Sequence, residues 1–202
     1  RNSIDNPLYT RKGSQFMFSV AATPPWSLWD GKDYKNMSDQ DEAKFRMIEY
    51  HKWKFKAKIF SPLAPLTVKR TPVLMTRVEC GFLGSYNKYK KSPFETFYMG
   101  GDGMSGYSST YATETIGLRG YENGSIAGNG GYNSYGYAYS RLSMELRYPF
   151  LLEPSSTIYG LVFVEAGNAW RDLKDFNPFQ LKRSAGVGVR IFLPMIGLMG
   201  ID

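Results

Sequence analysis

The sequence predicts an all-β protein: an antiparallel up-and-down transmembrane β-barrel, present here as a partial barrel of about six to seven strands. Three observations carry that expectation. Apolar residues recur at every second position, not at helical spacing. The connections between the alternating runs are long and short in turn. No apolar run approaches the ~20 residues that a membrane helix needs, so any crossing must be made by strands. Residues 1–202 read as one partial barrel domain.

The first strand is expected at about 14–24, where Phe16, Phe18, Val20 and Ala22 oppose Gln15, Met17 and Ser19. In the second, about 45–60, Trp53, Phe55, Ala57 and Ile59 oppose Lys52, Lys54, Lys56 and Lys58. The third, 73–83, sets Leu74, Thr76, Val78, Cys80 and Phe82 against Met75, Arg77, Glu79 and Gly81. The next, 136–150, is the cleanest: Ser140, Leu142, Met144, Leu146 and Tyr148 oppose Tyr139, Arg141, Ser143, Glu145 and Arg147. In the strand at about 157–170, Ile158 to Trp170 reads as apolar on both faces except for Glu165, which suits a strand whose inner wall packs against something such as an inserted loop. Ala185, Val187, Val189, Ile191 and Leu193 oppose Ser184, Gly186, Gly188 and Arg190 in 184–193, and a further strand opens at 198–202.

A soluble β-sandwich also alternates, so the connections decide between the two. In order they span 23–44, 61–72, 84–135, 151–156, 171–183 and 194–197, and every second one is long. Outer-membrane barrels have long extracellular loops, short periplasmic turns and strands of roughly 9–11 residues. The apolar face then meets lipid and the charged face the lumen. Aromatics form 16% of the chain, and Trp26, Trp29, Tyr148, Tyr159 and Trp170 lie near strand ends, where an aromatic girdle belongs.

Other function classes find little support. A net charge of +7 raises nucleic-acid binding, but Lys52, Lys54, Lys56 and Lys58 fall on one strand face with no recognition helix, so no nucleic-acid partner is expected. His51, the one histidine, lies near a strand end without a nucleophile motif, and no metal-ligand cluster exists. The glycine-rich stretches at 100–106 and 127–131 lack the lysine and following helix of a phosphate loop. No enzymatic chemistry and no cofactor are expected. Cys80 has no partner for an internal disulfide and reads as a small residue on the lipid face. Both ends look cut, with no start methionine or signal peptide before Arg1 and a strand opening at Asp202, which suggests a fragment.

The connection at 84–135 is too long to be an idle turn. It carries ETIGLRGYENGSIAG, in which Gly117 and Gly120 would let the backbone turn tightly around Leu118 and Arg119, with Tyr121 packing beside the guanidinium. An ordinary surface turn with a solvated arginine is the alternative reading.

The order NPLYTRKGS, FYMGG, GLRGYENGSIAG, SMELRYPF, FVEAGNAW and SAGVGVRIFLPMIGLMGID resembles the carboxy-terminal barrel of the BamA family of outer-membrane assembly factors over nearly the whole chain. The resemblance implies that 84–135 folds inward, that Gly117, Leu118, Arg119, Gly120 and Tyr121 form the family's loop motif, and that Arg119 contacts lumen-facing Glu145 and Glu165. The two acids, on adjacent strands, would repel at a paired Cβ distance of about 4.5–5.5 Å unless a cation joins them. The resemblance further implies a bacterial outer-membrane location and a function in folding and inserting β-barrel proteins by a destabilised seam and local bilayer distortion. Implied partners are unfolded outer-membrane proteins, outer-membrane lipid and accessory assembly lipoproteins. The family's POTRA repeats, first half-barrel and closing strand have no counterpart in this sequence. Alternatives are a two-partner-type polypeptide secretion transporter, which has a similar barrel and motif, and a passive porin.

Overall fold

The computed structural model describes residues 1–38, 41–68, 70–101, 114–126, 135–153 and 156–202. Seven antiparallel strands form one sheet in the order β1 (Gly13–Ala22), β2 (His51–Pro62), β3 (Val73–Gly84), β6 (Ala138–Glu153), β7 (Ser156–Trp170), β8 (Lys182–Leu193) and β9 (Gly197–Ile201). The two remaining strands, β4 (Phe97–Met99) and β5 (Glu114–Ile116), pair in parallel with each other inside the long connection. The wall is therefore an up-and-down meander, the topology of an open barrel segment. Most of residues 100–106 and all of 127–131 lie outside the described residues.

Register converts the sequence alternation into two faces. Phe16, Ala57, Val78, Leu142 and Ala166 lie side by side across five strands, and the adjoining row is Met17, Lys56, Glu79, Arg141 and Gly167. Phe16, Phe18, Trp53, Phe55, Leu142, Leu146, Val162 and Val164 all stand exposed on the outer face, whereas Glu79, Tyr139, Glu145 and Glu165 are buried on the inner one. A band of bare aromatic and aliphatic side chains backed by buried charges inverts a soluble protein and fits a wall whose solvent is hydrocarbon. Cys80 belongs to the outer face, between Phe55 and Ser140. His51 opens β2, where its Nδ1 accepts the Trp53 indole N–H at 3.0 Å.

Element boundaries depart from the pattern where local chemistry overrides it. The second strand starts at His51, not at 45, because Glu42–Phe45 forms one helical turn whose first N–H groups are capped by Asp41, accepting from Ala43 N at 2.9 Å. β1 stops at Ala22, before Thr23, Pro24 and Pro25, since proline cannot donate to a ladder. β6 runs past 150 to Glu153 through a bulge at Pro149/Leu151, and the ring of Phe150 lies over Gly160 on the outer face. No helix among the described residues is long and apolar enough to cross a membrane.

The inner face carries two packed clusters. At the short-turn end, the segment before β1 folds inward, so that Tyr9 is buried among Phe60, Val73, Met75, Tyr159, Leu161 and Phe163. Its hydroxyl donates to the Thr71 carbonyl at 3.0 Å, and its ring meets Tyr159 edge-on at 5.2 Å. At the long-loop end, Leu83, Tyr139 and Ala169 of the wall pack against Phe97, Met99, Ile116, Leu118 and Ile126 of the long connection. The apolar inner side of β7 is thus shared: Ala169 packs against these loop residues and Phe163 lies under Arg119 of the loop, whereas Tyr159 and Leu161 pack with Tyr9 of the segment before β1.

Candidate functional site

The connection between β3 and β6 turns into the lumen and lies along the wall. Close approach is possible because the wall presents glycine where the loop presses. A Cβ at Gly81 would meet the rings of Tyr139 and Phe97 at 2.4 and 2.8 Å, and one at Gly167 would meet the Met99 methyl at 2.4 Å. Backbone bonds hold the loop on itself: Gly100 N donates to Ile116 O and Gly101 N to Tyr121 O, both at 2.9 Å. Gly120, at φ +81°, supplies the left-handed turn after Arg119, while Gly117 is buried without a positive φ. Leu118 is fully buried in the loop cluster.

That turn aims Arg119 at two wall acids. Its Nη2 donates to Glu145 Oε1 and to Glu165 Oε1, each at 2.7 Å, and its backbone N–H donates to Glu165 Oε2 at 3.0 Å. The acids are not direct pairs. Glu145 stands opposite Phe163, and Glu165 opposite Ser143, so the two carboxylates are diagonal neighbours, about 7–8 Å apart at Cα. The gap between them admits a guanidinium nitrogen, where directly paired acids would leave less room. Glu165 Oε1 also accepts from Arg141 Nη2 at 2.8 Å and Ser143 Oγ at 2.9 Å, and Glu145 Oε2 takes both Nε and Nη2 of Arg147. Asp202 Oδ2 approaches Arg119 Nη1 at 3.5 Å while pairing with Arg190 at 2.6 Å. Buried charges of both signs are thus matched in one network, which is what makes burial tolerable.

The aromatic face beneath the guanidinium belongs to Phe163, whose ring centroid lies 3.6 Å from Arg119 Cζ. Tyr121 does not take that place: it packs on the loop cluster and donates its hydroxyl to Arg183 O of β8 at 2.8 Å. Five positions of the GLRGY motif therefore divide the work of a turn, a buried leucine, an ion pair and a tether to the next strand.

A second cluster of opposite polarity was not anticipated from the sequence. Glu114 of β5 lies within 3.1 Å of Lys52 Nζ, 3.0 Å of Lys54 Nζ and 3.4 Å of Lys56 Nζ, all on the inner face of β2. Lys52 also pairs with Glu95 at 3.2 Å and sits 4.8 Å from the centre of the Phe97 ring. Burial raises the Glu114 carboxyl, but the hydrogen bond from Lys54 and the ammonium of Lys52 outweigh it and hold it below its ordinary value. Four lysines on one inward face were a legible demand for an anion; which acid would answer was not.

Comparison with solved structures finds a crystal structure of BamA from Haemophilus ducreyi lacking POTRA domains 1–3, with a TM-score of 0.65 and 19% sequence identity. The alignment covers 98% of this chain and 36% of that one, so the chain spans about a third of that protein's length, and the likeness concerns the fold. No curated protein sequence matches. The Omp85 superfamily domain matches residues 1–202, and with an antiparallel barrel wall carrying an inward loop, the chain belongs to the Omp85 superfamily.

Proposed function

We propose that this chain is barrel wall and internal loop of a BamA-like assembly factor, which folds and inserts β-barrel proteins into the bacterial outer membrane. The observation that carries the proposal is Arg119, delivered by an inward loop to Glu145 and Glu165 on two adjacent strands. A passive porin needs no such device, since a constricting loop can narrow a pore without being bolted through a buried arginine. In the proposed role the outer apolar band contacts lipid, the long connections are extracellular, and unfolded outer-membrane proteins are the clients. The loop supports the wall from inside while strands elsewhere in the barrel separate to admit a client. Accessory assembly lipoproteins are the proposed partners on the periplasmic side.

The test is complementation. In the full-length protein, Arg119→Ala is expected to lower the amount of folded outer-membrane proteins, with the variant itself still inserted. Arg119→Lys is expected to restore only part, because an ammonium cannot reproduce the planar stack on Phe163. Normal client assembly by Arg119→Ala would overturn the proposal. A secretion defect confined to one large exported protein would instead assign the chain to a two-partner-type transporter.

A further inference from the structure

Three connections of this chain converge at the long-loop end and enclose a cleft of about 1130 Å³. Its walls come from residues 34–38, 44–45, 88–94, 135–137 and 171–175, and it is separate from the Arg119 and Glu114 clusters. Lining cations number five (Lys35, Lys44, Lys88, Lys91 and Arg171) against two acids, Asp172 and Asp175, a net +3. Lys91 is paired with Asp172 at 2.7 Å. Lys35, Lys88 and Arg171 are exposed and have no carboxylate within ion-pair distance among the described residues. Concave walls concentrate the field of such charges and favour an anion within.

The same walls are aromatic. Tyr135 and Tyr137 meet edge-on at 6.2 Å, with Arg171 5.8 Å from the first ring and Lys91 5.7 Å from the second. Lys88 lies 4.8 Å from the ring of Tyr89, and Phe45 and Phe94 complete the apolar lining. Ring faces flanked by cations suit a ligand with flat C–H faces and anionic substituents. The volume of about 1130 Å³ slightly exceeds the range of pockets that hold a drug-sized molecule, about 300–1,000 Å³, and accommodates more than one sugar ring. An acidic peptide binding in extended form would want a free strand edge, and no lining residue lies in a strand.

We propose that this cleft binds an anionic saccharide, a short sugar chain bearing phosphate or carboxylate groups, with its ring faces on Tyr89 and Tyr135 and its charges at Lys35, Lys88 and Arg171. Such a sugar is either the headgroup of a glycolipid or a free glycan; the recognition chemistry is the same. The inference stands on the geometry of the loop end and does not depend on the assembly function.

The test is calorimetric titration of the full-length protein in detergent with a phosphorylated glucosamine disaccharide, its dephosphorylated form, inorganic phosphate and hexaglutamate. The phosphorylated sugar is expected to bind at least tenfold more tightly than each of the other three, and less tightly as salt is raised. Lys88→Ala combined with Arg171→Ala should weaken it at least tenfold, Tyr135→Leu should weaken it several-fold with charge unchanged, and Lys12→Ala, at the opposite end, should leave it unaltered. Presenting the same disaccharide on acyl chains in vesicles separates the sources: tighter capture there assigns a glycolipid headgroup, and equal affinity a free glycan. Hexaglutamate binding as tightly as the sugar would overturn the proposal in favour of an acidic protein surface. Equal binding of phosphate alone, or no binding of any probe, would also overturn it.

Discussion

Replacing Arg119 with alanine removes two charge-assisted hydrogen bonds of 2.7 Å and the stack on Phe163, but it does not strip the acids bare. Glu165 keeps Arg141 and Ser143, and Glu145 keeps Arg147, so the penalty of a stranded buried charge is largely avoided. The side chains are 14%, 7% and 0% exposed, so water screens the lost bonds little. At the lower end of about 1.5–3 kcal/mol per charged bond, the docked loop loses about 3 kcal/mol. That is a shift of roughly 150-fold in the docked-to-released ratio. Hydrogen exchange reads it directly: the amides of Gly100, Gly101 and Ile126, bonded within the loop, should exchange faster by about that factor, while those of β6 and β7 stay protected. A double-mutant cycle between Arg119→Ala and Glu165→Gln should give coupling well above 0.5 kcal/mol. Unchanged exchange in the loop together with zero coupling would sink the reasoning, and GLRGY would be an ordinary turn.

Glu114→Gln should weaken the second attachment by about 2 kcal/mol, seen as faster exchange in β4 and β5 with little change at Arg119. Because the Glu114 carboxyl is held below its ordinary value of 4.5, that attachment is at full strength above that value and is lost as pH falls through the lowered one; exchange across an acid series checks the sign. Gly186→Ala places a Cβ 2.6 Å from the Phe163 ring, and the forced shift should cost about 1–3 kcal/mol and loosen Arg119 by disturbing the ring beneath it, measurable as weaker Arg119–Glu165 coupling. In a Cys80→Ser background, cysteines at Asp33 and Asp175 should react with an impermeant reagent on whole cells, and one at Met195, exposed at the opposite end, should not; labelling only at Met195 would invert the topology. Asp39, in the same connection as Asp33, lies outside the described residues.

The wall was legible because a strand buried between lipid and a charged lumen writes its two faces at alternate positions: Lys52 to Lys58 and Leu142 to Leu146 could be read directly. The inward orientation of Glu145 and Glu165 followed from the same parity. What parity cannot give is stagger, and the diagonal rather than direct relation of the two acids emerged only from register. Local capping was likewise hidden, since Asp41 competes with an alternation that begins only at His51. Contacts between distant segments left the faintest trace. The Glu114 attachment joins residues 58 to 62 positions apart, Phe163 displaces Tyr121 from the guanidinium, and Tyr9 plugs the short-turn end through a segment that carries no periodic signal.

The lysines facing Glu114 repeat every two residues, about 6.6–6.8 Å along β2, and the run does not end with the three that touch it. Lys58 stands one repeat nearer the short-turn end, on the same face, with no carboxylate within 4 Å among the described residues. Lifting Glu114 off the wall breaks all three contacts at once. Sliding it by one repeat exchanges Lys52 for Lys58 and leaves three cations around it. The attachment is therefore stiff against withdrawal and compliant along the strand, a rail more than a bolt, and it leaves the choice of axial position to the seats of Phe97 and Met99 at Gly81 and Gly167 and to Arg119, whose two acids have no such repeat beside them.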